Sequence, residues 1–149
     1  MASAPERTAF GRLKASLVLA IFLPCFAWAQ EAQSPAPPAI HSETLSQTTT
    51  SWDGAAYKDY PATQPQLTVL KITIPPHTTM KWHTHPIPNA AYLLSGAVTV
   101  ETRNGAVRHF VAGQVIPETV NTLHRGITGD EAAVLIVFYA GTPGTPLSQ

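Results

Sequence analysis

Residues 81–96 read KWHTHPIPNAAYLLSG. The chain has 6 histidines, and this stretch sets two of them, His83 and His85, one residue apart in a short run that reads as a strand. Successive strand side chains project from opposite faces, so His83 and His85 project from the same one. Two imidazoles on one face can meet a single ion. An H-x-H pair taken alone also describes two half-exposed strand histidines, and the surrounding pattern has to choose between the two.

That pattern is strand throughout. Residues 67–74 alternate and are β-branched, and Pro75, Pro76 and His77 stop them. Residues 81–85, 91–95 and 97–101 follow, the last two separated by Gly96. Asn104-Gly105 predicts a hairpin turn of the type I′ kind. Residues 106–111, 115–118 and 123–127 come next, and 133–139, AVLIVFY, reads as a fully buried strand. No stretch shows a helical period, and there is no internal repeat. Short strands with turns every several residues predict an all-β sandwich or barrel.

Outside this region the composition changes. Residues 1–29 read as a secretory signal peptide: Arg7, Arg12 and Lys14 make the start positive, residues 15–29 are apolar, and Ala27-Trp28-Ala29 is a small-x-small cleavage site. The apolar run holds Pro24 and is shorter than the roughly 20 residues a membrane span needs. Residues 30–51, rich in Pro, Ser, Thr and Ala, bury too little apolar surface to offset their ordering entropy and read as a flexible linker. Residues 52–149 remain for one domain, and the expected location is periplasmic or secreted.

Cleavage removes Glu6, Arg7, Arg12 and Lys14, leaving 6 of 9 basic and 8 of 9 acidic residues, a formal charge of −2. No basic stripe is left for nucleic acid or for anionic lipid, so neither is an expected partner. Cys25, the 1 cysteine of the chain, leaves as well. The mature chain therefore has no disulfide and no thiolate, and its chemistry rests on His, carboxylates, hydroxyls and a bound ion.

The run His83-x-His85-x3-Asn89-x6-Gly96 resembles the first motif of the cupin family, G-x5-H-x-H-x3,4-E-x6-G. The run from Gly113 to His124 is similar to the second, G-x5-P-x-G-x2-H-x3-N. The resemblance covers about 67–139 and implies a small conical β-barrel of the double-stranded β-helix or jelly-roll type, with a divalent transition metal (Fe, Mn, Zn or Ni) inside. The implied ligands are His83, His85 and His124, with Asn89 where the family usually has Glu. The chain departs from the motifs elsewhere. His77 stands where the first motif begins with Gly, Thr119 and Asn121 stand for the Pro and Gly of the second, and Thr128 stands for its terminal Asn.

Three neutral imidazoles leave a divalent ion its full charge, which favours anionic oxygen ligands. Three protein ligands also leave coordination positions open, as a catalytic site requires. Glu118, the carboxylate of the second motif, is the candidate general acid/base, set against a solvent-exposed strand-edge charge. Tyr92 is a candidate donor to a substrate oxygen. Trp82 should face away from His83 and His85, and His41, His77 and His109 read as surface residues. An irregular segment with Tyr57 and Tyr60 is placed to cap the barrel mouth. The expected function is a metal-dependent enzyme (oxygenase, isomerase or lyase) acting on a small oxygen-bearing, anionic molecule. The alternative is a non-catalytic metal- or ligand-binding cupin. A homodimer through an unpaired edge strand would suit the fold.

Overall fold

The computed structural model describes residues 40–149. The leader (1–29) and the first part of the linker (30–39) lie outside the described residues. Within them the chain forms seven strands: β1 Gln66–Ile74, β2 Asn89–Ser95, β3 Ala97–Thr102, β4 Val107–Val111, β5 Val115–Pro117, β6 His124–Ile127 and β7 Ala133–Gly141. No helix among the described residues is long and apolar enough to cross a membrane.

The strands make two antiparallel sheets, β1-β7-β2-β5 and β4-β3-β6. The all-β jelly-roll expectation holds, but hydrogen bonding does not run unbroken round a barrel. β1 and β7 pair over nine residues, from Gln66 opposite Gly141 to Ile74 opposite Ala133. Leu93, Val98, Val100, Phe110, Ile116, Leu135 and Val137 fill the space between the sheets.

β7 is buried on one face only. Ala133, Leu135, Val137 and Tyr139 are buried, whereas Phe138, on the other face, is 42% exposed. An unbroken apolar run does not report which face is covered.

Residues 81–85 do not form the expected strand. Thr79 bridges Ile127 and His83 bridges His124. Continuing the first pairing would put Trp82, not His83, opposite His124, so the register slips by one residue and the ladder is interrupted. Pro86 and Pro88, which lack an N–H, follow directly.

The hairpin between β3 and β4 also differs from expectation. Gly105 has φ +98°, but Asn104 is not left-handed, so the turn is not type I′. The Gly105 N–H donates to the Thr102 carbonyl (3.1 Å) and the Thr102 N–H to the Ala106 carbonyl (2.8 Å), enclosing a three-residue loop with glycine at its left-handed position.

Two residues other than glycine have positive φ among the described residues, His77 (+51°) and Asn121 (+58°). They occupy the two motif glycine positions, of four, at which this chain has another residue. The motif backbone is therefore kept without the residue that adopts it most easily. A left-handed conformation costs a side chain with a Cβ about 1–2 kcal/mol, partly recovered by asparagine. His77→Gly should stabilise the fold by about 0.5–1 kcal/mol, the strain relieved less the added chain entropy of glycine. Urea unfolding would check this, and a loss of stability would contradict it. At Gly96 (φ +73°) glycine is kept, and a Cβ there would overlap the Ala132 carbonyl.

The N-terminal approach settles at Thr50, which bridges Ala56. Ser51 and Trp52 are buried, and the Trp52 N–H donates to the Pro117 carbonyl (2.9 Å). The Trp52 ring meets Phe110 edge-on at 6.4 Å.

Candidate metal centre

The His83–His124 bridge is the foundation of the site. The His83 N–H donates to the His124 carbonyl (3.0 Å) and the His124 N–H to the His83 carbonyl (2.9 Å). This fixes two rings with centroids 4.5 Å apart. His85 adds a third ring from the same face, 5.1 Å from His83 and 5.0 Å from His124. One nitrogen from each ring lies within 4.8 Å of the other two, forming a group able to hold a metal ion.

Each ring has its Nδ1 engaged. His83 Nδ1 meets the Lys81 carbonyl (2.9 Å), His85 Nδ1 the Leu147 carbonyl (2.7 Å), and His124 Nδ1 the Thr122 carbonyl (2.8 Å) and Thr119 Oγ1 (3.0 Å). A carbonyl only accepts, so each Nδ1 carries the proton and each Nε2 keeps its lone pair. Carbonyl partners of this kind orient imidazoles toward a metal. Burial, the main cause, pushes the His85 pKa down to about 4 and lowers that of His124. Both rings are therefore neutral at pH 7, the form that ligates.

The cavity beside them measures about 310 Å³ and lies between the two sheets. Its walls include Ile72 and Ile74 of β1, Ala91 of β2, Val98 and Val100 of β3, Ile116 of β5, and Leu135 and Val137 of β7. Asn89 and Glu118 line it as well, brought side by side where the Glu118 N–H donates to the Asn89 carbonyl (3.0 Å). The Asn89 amide nitrogen donates to the Ile87 carbonyl (3.3 Å), and its Oδ1 is buried without a partner. Glu118 Oε2 is likewise buried without a hydrogen bond, 3.5 Å from His124 Nε2. Burial, the dominant influence, pushes the Glu118 pKa up to about 7 and outweighs the opposing hydrogen bond from the Thr119 backbone. The same burial opposes a charge on His124, so the pair is not a fixed ion pair. Three free Nε2 lone pairs beside two orphaned buried oxygens suit a cation.

Tyr92 is not brought to the site. It lies three residues from Asn89, an odd step in a strand, so it projects from the opposite face of β2 and does not line the cavity. The tyrosine on the cavity face is Tyr139, which pairs across the ladder with Asn89 and meets His85 edge-on at 5.9 Å. The same parity count along β7 points to it. Leu147 and Ser148 also escaped the sequence reading. They contribute a backbone carbonyl and part of the cavity wall, which residue type does not announce.

Trp82 lies outside the cavity as expected, with Arg125 4.4 Å and Arg103 5.1 Å from its ring centre. His41, His77 and His109 are exposed. Tyr57 donates to the Glu118 carbonyl (2.8 Å), and burial raises its pKa to about 12.

A two-sheet jelly roll with three convergent histidines between its sheets is the architecture of a small cupin. Residues 70–139 match the cupin domain family, and this part of the chain is a cupin domain. Among solved structures, a chain from the DMSP lyases RdDddP and RnDddQII is 20% identical (TM-score 0.50), with 56% of this chain and 43% of that one covered. The DMSP lyase DddQ from Ruegeria pomeroyi DSS-3 is 18% identical (TM-score 0.50), with 62% and 45% covered. A cupin-like protein from Thermotoga maritima is 16% identical (TM-score 0.48), with 56% and 62% covered. The chain thus spans less than half the length of the two lyase chains. No curated protein matches it.

Proposed function

We propose that this chain is an exported, metal-dependent cupin enzyme acting on a small, oxygen-bearing metabolite, as an oxygenase, isomerase or lyase. The observation that supports it is the convergence of three imidazoles, each with Nδ1 already engaged, beside a cavity of small-molecule size. His83, His85 and His124 would hold a divalent transition metal (Fe, Mn, Zn or Ni), and Asn89 would offer its amide oxygen. When bound, such an ion supplies positive charge that neutral imidazoles leave uncancelled, which draws anionic oxygen ligands.

The chain's own residues do the rest. Glu118, with a pKa near 7, holds or releases a proton at Oε2 close to His124. The apolar walls exclude water, and Lys81 adds a positive charge to the cavity lining. Export rests on the character of residues 1–29. β1, the edge of its sheet, carries exposed Leu67 and Val69 and would suit a homodimer. The likeness to the lyases speaks for the fold, and the reaction is argued from the site.

The test is incubation of metal-loaded and metal-stripped protein with small enols, hydroxy acids and carboxylates. Metal-dependent product formation supports an enzyme. Tight binding without product supports the second reading, a non-catalytic binding cupin, which Asn89 favours because it brings no charge to the site.

A further inference from the structure

We infer that the tail at residues 147–149 is a positioning element of the metal centre, one that sets the tautomer and orientation of His85. The inference rests on the metal reading above and extends it to a segment remote in sequence. His83 and His124 each find a carbonyl for Nδ1 two residues away, at Lys81 and Thr122. Their orientation is built into the local chain. His85 has no such neighbour, and its Nδ1 partner is the carbonyl of Leu147, 62 residues on, at 2.7 Å.

The structure brings that carbonyl into place deliberately. After β7 ends at Gly141, the chain turns back through residues 142–145. The Thr145 N–H donates to the Thr142 carbonyl (3.2 Å), and Gly144 is left-handed (φ +80°). The tail then pairs with the residue next to His85. The Thr84 N–H donates to the Gln149 carbonyl (2.9 Å), and the Gln149 N–H donates to the Thr84 carbonyl (3.0 Å). Leu147 packs against the core and Ser148 lines the cavity. The tail is thus held on both sides of the carbonyl it presents. A released tail leaves His85 Nδ1 without its acceptor, so the ring can turn or take the other tautomer, which points no lone pair from Nε2 at the shared centre.

The experiment compares the full chain with a variant truncated after Pro146, with Leu147→Ala and with Gln149→Pro. Co²⁺ binding is measured by calorimetry and visible absorption, and the His85 tautomer by ¹⁵N spectra of the metal-free proteins. Truncation should weaken Co²⁺ binding by about tenfold to hundredfold, the range for losing a partner of a ligand. It should also turn one Nδ1–H tautomer at His85 into a mixture. Leu147→Ala keeps the carbonyl but removes the packing that holds it on one side, so it should bind Co²⁺ less tightly than the full chain and more tightly than the truncated protein. Gln149→Pro removes the donor to Thr84 while keeping every tail carbonyl, so a partial loss is expected, and it serves if truncation prevents folding. Unchanged Co²⁺ affinity and an unchanged His85 tautomer in the truncated and Gln149→Pro proteins would overturn the inference alone. Failure of the full chain to bind Co²⁺ would overturn the metal reading itself.

Discussion

Replacing His124 with alanine should lower affinity for Zn²⁺ or Co²⁺ by at least about a hundredfold. Loss of a partner behind a ligand costs tenfold to hundredfold, and losing the ligand itself should cost no less. His124 is also the hub of the site, since its backbone bridges His83 and its ring is within 5.0 Å of both others. Its ring is 2% exposed, so no surface residue can stand in for it. His83→Ala and His85→Ala should behave alike. His109→Ala is the control, because that exposed ring bonds Thr99 on β3. Elemental analysis after dialysis reads the result, and full occupancy in the His124 variant would end the metal reading.

Glu118→Gln should move activity and stability in opposite directions. A general acid/base contributes about 10²–10⁴-fold to rate, so turnover should fall by that order. The metal-free protein should become more stable at pH 8. Burial raises the Glu118 pKa from 4.5 to about 7, so between those values the folded state holds a proton that the unfolded state has lost. The stability this carboxyl contributes is complete below pH 4.5 and is lost as pH rises through 7. The depressed histidines work the other way. With His85 near 4 and an unfolded value of 6.5, its contribution is complete above 6.5 and is lost as pH falls toward 4. The wild type should therefore gain stability only gradually from pH 4.5 to 6.5, and Glu118→Gln more steeply. The two proteins should match near pH 4.5 and differ by about 2–3 kcal/mol at pH 8, following the roughly 1.4 kcal/mol per pH unit of linkage. Denaturant unfolding across pH measures this. Parallel stability curves would show that Glu118 ionises in the folded protein as freely as in water. A joint fall in activity and stability would make it a structural residue.

Much of the site was legible because strand parity is a strict rule. The count put His83 and His85 on one face, and their rings do converge although residues 81–85 form only an isolated bridge; the motif spacing adds His124 and Asn89. Where the count was not applied the reading failed. Tyr92 sits an odd step from Asn89, while Tyr139 faces Asn89 directly across the ladder. His77 and Asn121 replace motif glycines, yet both backbones are left-handed. A residue that tolerates a conformation at some cost does not declare that it adopts it.

The linear order of residues determined the class of chemistry: strands in place of helices, imidazoles in place of thiolates, and one buried-strand alternation that aims side chains. These follow from nearest-neighbour geometry, which needs no partner. Tertiary structure alone decided which oxygens are stranded away from water, which face of β7 is covered, and that a carbonyl at Leu147 reaches His85. Burial and backbone partnership are properties of what lies across the gap, and a chain read in one dimension has nothing across from it.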